Sequence, residues 1–394
     1  MNKHLKAVSL ALWTPGTDLA IDEAMIMFQG RAKETMTIPN KPIPIGFKLW
    51  VITQLDYFHS WLFHMPGFKP LGVTAIPEIS LTNYTAAVVP TLLQQLPEWD
   101  NGHYHIWLDN LFTSSRLLSY LHSNNVGASG TARANSGIHQ DILKEKTIES
   151  KKDQYEWGYK TVRYVIQGSV DKDNGKIMQM GWKDNSYCLF QSNCTDGLPN
   201  LAKLRRRPKK TSSKAKTSRV PFGIHSQAWL FIPLLVHGYN TYMNGVDRGD
   251  PSRASLPWRR HYQHWKALFF GLLGIAIVNS YLLSFHSKVN NKAKYTRFGK
   301  FRKDLIQGLI EHGERLPTMA TESLNKKRER ATVGTHIWSL RKQQRCVVCS
   351  RAQARPLSEL SANHMAPKRP KGGCNTCSVN ICKVGRCWDE FHCD

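Results

Sequence analysis

Acidic residues are scarce in this 394-residue chain: 29 Asp plus Glu stand against 54 Lys plus Arg, leaving a formal charge of +25. A field of that sign captures polyanions, and it points to nucleic acid ahead of an anionic membrane surface. Cysteine is nearly missing from the first 345 residues, where only Cys188 and Cys194 occur. That excludes a secreted disulfide framework, whose cysteines would be spread through the fold. The start lacks the clean apolar stretch and small-residue cleavage site of a secretory signal. Only one run, residues 267–285 (ALFFGLLGIAIVNSYLLSF), is long enough to suggest a membrane span. Its internal Asn279-Ser280 pair, its charged flanks and the lack of a second span favour a buried core helix, with no membrane partner. No internal repeat is apparent.

What is present fits a folded chain with a substantial core, since 41% of residues are hydrophobic. Residues 46–54 (GFKLWVITQ) and 58–63 read as strands, 84–96 as a helix and 105–108 as a short buried strand. Alternation in 160–165 and 187–190 suggests a β-leaning segment before a helical stretch from 221. The expected organisation is a short N-terminal remnant (1–20), a first core part (21–135), an insertion with a basic connector (136–220), a helical second core part (221–313), a linker (314–345) and a Cys-rich domain (346–394).

The connector carries Lys203, Arg205, Arg206, Arg207, Lys209 and Lys210 with no acid among them. It reads as a solvated loop, a phosphate-contacting loop or a nuclear-import signal, and the last gives the expected nuclear location. A second basic stretch, Lys288, Lys292, Lys294, Arg297 and Lys300, interleaves with Tyr295, Phe298 and Phe301. On a helix, that spacing gives one apolar stripe flanked by cations suited to phosphates.

Two acidic spots suggest chemistry: Asp109, directly after the buried strand, and Asp247 with Asp250, ahead of the long apolar segment. A carboxylate in such a place is costly unless it is paired or binds a cation. Two-metal phosphodiester chemistry needs several of them converging on ions about 4 Å apart. The residues alone leave a helix-cap or turn role open for each.

In order along the chain, residues 21–25 (IDEAM), 28–31 (FQGR), 41–48 (KPIPIGFK), 109–114 (DNLFTS), 130–133 (GTAR) and 239–250 (YNTYMNGVDRGD), with Trp265 and 276–281 (AIVNSY), resemble the motifs of the piggyBac family of DDE transposases. The resemblance implies an α/β, ribonuclease-H-like core with a β-rich insertion, and cut-and-paste DNA transposition at TTAA with Mg²⁺ held by three aspartates. Asp109 corresponds to the second acid, Asp247 to the third and Asp250 to an additional one. The first acid is expected at the end of the 46–54 strand, which reads Gln54, a poor Mg²⁺ ligand. Asp56 is the nearest substitute. With Pro251 where the family has glutamine, and with the family's N-terminal dimerisation and DNA-binding part almost wholly missing, the expectation is an impaired, DNA-binding transposase derivative. An active enzyme and a zinc-dependent interaction module are the alternatives, and a homodimer is a further expectation.

The tail holds Cys346, Cys349, Cys374, Cys377, Cys382, Cys387, His392 and Cys393. CxxC pairs supply two thiolates from one turn, and eight ligands suggest two Zn²⁺ ions. Interleaved pairing would put Cys346, Cys349, Cys382 and Cys387 on one ion, and Cys374, Cys377, His392 and Cys393 on the other, with His364 a substitute. The tail resembles the family's C-terminal cross-brace. That implies recognition of element-end DNA, for which Lys368, Arg369 and Lys371 provide cations.

Overall fold

The computed structural model describes residues 1–39, 41, 43–65, 85–150, 162–167, 176–184, 186–194, 200–211, 218–246, 263–289, 292–293, 297–315, 338–340, 343–344, 346–348, 369–377, 379–382 and 387–392. The chain divides into two compact units, Met1–Arg302 and Lys303–Asp394.

The first unit begins with helix α1 (Asn2–Leu12), then strands β1 (Asp18–Met27), β2 (Thr35–Thr37), β3 (Ile45–Gln54) and β4 (Tyr57–Phe63). Helix α2 (Val88–Leu93), β5 (His105–Leu108), α3 (Ser115–Ser123), β6 (Gly127–Thr131) and α4 (Gln140–Ser150) follow. Next come β7 (Val162–Gln167), β8 (Ile177–Lys183), β9 (Tyr187–Ser192), β10 (Asn200–Arg206), β11 (Gln227–Pro233), α5 (Leu234–Tyr242), α6 (His264–His286), β12 (Lys288–Val289) and β13 (Lys292–Ala293).

One large mixed sheet runs β2–β3–β1–β5–β6–β9–β8–β7, with β4 also paired to β3. Strands β1 and β3 are buried along almost their whole length. Such strands, covered on both faces, need near-continuous apolar sequence rather than alternation. Leu19, Ile21, Trp50 and Ile52 face a core completed by α2 and α3. On the other face, Ala20 and Trp107 pack with Leu235 and Val236 of α5, while Ala24, Leu49 and Val51 pack with Leu272, Ile275 and Val278 of α6. Strands β7, β8 and β9 extend this same sheet beyond β6, so the β-leaning segment read from the sequence joins the core sheet. Residues 1–20 supply α1 and the first part of β1. Helix α1 is bound to β4 through Tyr57 Oη to the Ser9 carbonyl at 2.8 Å and Trp61 Nε1 to Asn2 Oδ1 at 2.8 Å.

By length and composition α6 is apolar enough to cross a membrane. Its Asn279 nevertheless sits in the protein core as a clamp on the edge of β4. The amide oxygen accepts from Phe58 N at 2.9 Å, and the amide nitrogen donates to Phe58 O at 2.9 Å and Ser9 Oγ at 3.1 Å. A side-chain amide here stands in for the next strand and satisfies an edge that would otherwise be open.

Helix α7 (Phe298–Arg315) begins in the first unit, where Phe298 meets Tyr281 edge-on and Phe301 packs tilted against it, ring centroids 5.3 and 5.7 Å apart. The second unit contains a small antiparallel sheet of β14 (Trp338–Leu340), β15 (Gly372–Cys374) and β16 (Val379–Asn380), then helix α8 (Cys387–His392). Its core is Val347, Val348, Val379, Ile381 and Phe391 among cysteines.

Candidate active site and metal centres

The register of β1, β5 and β6 sets three polar side chains in a row. In the parallel pair β1–β5, Ala20 lies beside Trp107 and Ile21 beside Leu108. One residue further on, Asp22 comes level with Asp109, and neighbouring strands are only about 4.8 Å apart. The pair β5–β6 places Gly130 beside Leu108, so Thr131 comes level with Asp109 on the other side. A Cβ at Gly130 would collide with the Leu108 carbonyl and the Thr113 hydroxyl, which explains glycine at the head of the GTAR segment.

Asp22 is 7% exposed, and its carboxyl is raised to about 7. Burial is the main cause, and the negative charges of Glu23 and Asp109 add to it; a bond from Glu23 N–H and the charge of Lys41 act in the opposite direction. Its neighbour Glu23 points to the other face and is neutralised by Lys48 at 3.2 Å and Lys41 at 3.4 Å. Asp22 therefore carries its desolvation cost while the adjacent acid is paired.

The two carboxylates are held alike. Asp22 Oδ1 accepts the N–H of the next residue at 2.7 Å, and Asp109 Oδ1 accepts that of Asn110 at 2.6 Å. Thr131 Oγ1 also donates to Asp109 Oδ1 at 3.3 Å, so the Tyr239 hydroxyl, 3.2 Å away, donates to Thr131. Tyr239 arrives on α5, which approaches closely because Gly238 lies against the Trp107 ring. Beyond α5, Met243 packs in the cluster containing Ala20, and Val246 in the cluster containing Ala24. The chain thus passes over the face of β1 that carries Asp22 before reaching residue 247. Asp247 and Asp250 themselves lie outside the described residues.

Gln54 does not join this group. Thr53 pairs with Ala20 on the Asp22 face, so strand alternation turns Gln54 to the opposite face. Its Oε1 accepts from Gly16 N at 2.9 Å. Asp56 lies in the two-residue turn between β3 and β4, where Leu55 and Asp56 have φ of 48° and 73°. Val51 is the β3 partner of Asp22. Gln54 is therefore displaced along the strand by three residues, about 10 Å, and Asp56 lies beyond it. The acid that the structure sets beside Asp109 is Asp22, which the sequence reading passed over. Two adjacent acids, Asp22 and Glu23, in the middle of an apolar run were the available signal.

A cleft of about 400 Å³ opens beside Asp109. Asn110, Ser114, Arg116 and Arg133 line it, and Arg133 Nε donates to Asn110 Oδ1 at 3.0 Å. Of the other cations, Lys203 Nζ is 2.9 Å from His237 Nδ1, and Arg205 pairs with Asp184 at 3.2 Å and stacks over Trp182, so both face inward. Arg206, Lys209, Lys210, Arg297, Lys300, Arg369 and Lys371 are exposed, and Arg207 donates to the Gly223 carbonyl. The side chains of Lys288 and Lys292, and the whole of Lys294 and Lys368, lie outside the described residues.

In the second unit Cys346, Cys382 and Cys387 converge, and separately so do Cys374, Cys377 and His392, the ligand atoms of each group lying within 4.8 Å of one another. The interleaved pairing is therefore present for these six; Cys349, His364 and Cys393 lie outside the described residues. His392 Nδ1 is 2.9 Å from the Trp388 carbonyl, which fixes the proton there and leaves Nε2 facing Cys377 Sγ at 3.8 Å. Cys377 N–H donates to Cys374 Sγ at 3.3 Å, a bond suited to a thiolate. Two clusters of soft ligands, three each among the described residues, can hold metal ions.

Residues 1–281 match the family model described as Transposase IS4. That match spans well over half of the chain, and the protein belongs to this transposase family, in its piggyBac-type branch. It is similar to human PiggyBac transposable element-derived protein 3, with 27% identity over 84% of this chain and 51% of the relative. It is also similar to human PiggyBac transposable element-derived protein 2, with 26% identity over 66% of this chain and 38% of the relative. The chain thus spans about half or less of the curated relatives it matches. Among solved structures, a piggyBac transposase in a synaptic complex with hairpin DNA aligns with TM-score 0.54 and 21% identity, covering 77% of this chain and 55% of that one. That likeness concerns the fold.

Proposed function

We propose that the chain is a DNA-binding, piggyBac-type transposase derivative whose ribonuclease-H-like core keeps a divalent-metal carboxylate site, with Asp22 as its first acid. The observation that carries this reading is the in-register placement of a buried Asp22, its carboxyl raised by burial, beside Asp109. Hard carboxylate oxygens fit Mg²⁺ or Mn²⁺, and each carboxylate commits Oδ1 to a backbone N–H, leaving Oδ2 for the ion. Asp247 and Asp250 would complete the set. Bound ions would activate water or a 3′ hydroxyl for phosphodiester cleavage. The chain's own work is to hold the acids in register through β1 and β5, to orient Asp109 through Thr131 and Tyr239, and to offer Arg116 and Arg133 to phosphates in the adjoining cleft.

The tail would bind two Zn²⁺ ions, with Cys349 and Cys393 as fourth ligands. It would contact element-end DNA through Arg369 and Lys371, and the basic connector would direct nuclear import. Mg²⁺- or Mn²⁺-dependent nicking of a TTAA-flanked duplex tests the core reading: wild type should nick, and D22N and D109A should fall to background. Absence of nicking from protein that binds the duplex would favour the second reading, an impaired binder. Pro251 directly after Asp250, where the family has glutamine, speaks for that alternative.

A further inference from the structure

Strands β10 and β11 form a two-stranded ribbon separate from the large sheet, with Leu204 opposite Trp229 and Ala202 opposite Phe231. Alternation divides β11 cleanly. Leu230 and Ile232 are buried, while Trp229 is 70% and Phe231 65% exposed. Leu204, 46% exposed, extends the same outward ridge. Large rings are rarely left in water in this way, and the ridge has the character of a contact surface. Its charge says for what. Residues 200–233 contain no Asp or Glu, and Arg206, Lys209 and Lys210 are exposed on β10 and just beyond it. A second copy of so basic a ribbon would be repelled, whereas a polyanion would be drawn in.

Spacing narrows the ligand further. Side chains two apart on a strand stand about 7 Å from one another on one face, wide enough for two successive bases splayed from a strand and too wide for stacked ones. We propose that the β10–β11 ribbon binds an unpaired DNA strand, with Trp229 and Phe231 stacking on consecutive bases and Arg206, Lys209 and Lys210 contacting its phosphates. This deepens the DNA-binding reading above and rests on it. Every base has a flat face, so the ridge would take any sequence, and it would act where a DNA end is opened.

Anisotropy titrations of the full chain with a labelled oligothymidine and with a mixed-sequence duplex test the proposal. W229A/F231A should weaken oligothymidine binding at least about tenfold, leaving duplex affinity and the salt dependence unchanged. W229F/F231W should retain binding. K209A/K210A should instead reduce the slope of log affinity against log salt by about 1 to 1.5. Oligothymidine affinity equal in W229A/F231A and wild type would overturn the proposal. So would wild type that binds the duplex but not the single strand, or a ridge variant that turns a sedimenting dimer into a monomer. Wild type that binds neither DNA would also overturn the broader DNA-binding reading.

Discussion

The Asp22–Asp109 row and the Cys/His tail are two ways of assembling ligand atoms. In the first unit a large core comes first: buried strands fix the register, and the register delivers two carboxylates to one spot at a cost in stability. Among the described residues of the second unit, the apolar core is a handful of valines, Ile381 and Phe391. A domain of this size needs a staple, and the six converging thiol and imidazole groups are where metal would supply it. In the first unit the fold places the side chains; in the second a bound metal would place the fold.

The largest effect we expect tests that contrast directly. Chelation, or C374S, should unfold the second unit outright and leave the first unit folded, as followed by limited proteolysis and zinc release. Loss of both units together would break the distinction. Next, N279A should destabilise the first unit by roughly 2–4 kcal/mol in denaturant melts, because it leaves Phe58 N–H and C=O buried without partners.

Acid should act on the first unit too. His59, fully buried in the bulge of β4 with neither ring nitrogen hydrogen-bonded, and His105 are both held by burial at about 4. Their folded values lie below the unfolded value of about 6.5, so their contribution is full above 6.5 and lost as pH falls towards 4. Each should cost roughly 2–3 kcal/mol by pH 4, and H59N or H59Q should flatten that part of the profile. An effect of the opposite sign sharpens the picture of Asp22. An acid raised to about 7 in the folded state costs stability increasingly as pH rises from about 4 to 7, and fully above it. D22N should therefore raise the melting temperature by about 5–10 °C at pH 8 in metal-free buffer, and leave it unchanged near pH 4.

Much of this was legible from residues. β5 lies where the apolar run 105–108 put it, and the two groups of Cys and His that converge are the described members of the interleaved sets expected of the tail. Two things escaped. β1 has Asp22 and Glu23 in the middle of its apolar run, which hides it as a strand, and the resemblance directed attention to Gln54 rather than to the acid that lies beside Asp109. Which strand lies beside β5 is a property of sheet order, invisible in local pattern. The ribbon was hidden because lysines and arginines dominate β10, so that it read as connector. The aromatic-rich QAWLFIP segment that pairs with it begins 21 residues beyond the end of β10.

Asp22 also bears on how copies of this sequence would drift. A buried carboxyl that penalises the fold at neutral pH is a residue that drift discards readily, since asparagine or alanine there would be rewarded with stability. On stability alone, selection at this position points away from aspartate. A genome holding many copies would thus be expected to separate into sequences that keep this acid and pay in melting temperature, and sequences that have lost it and become hardier.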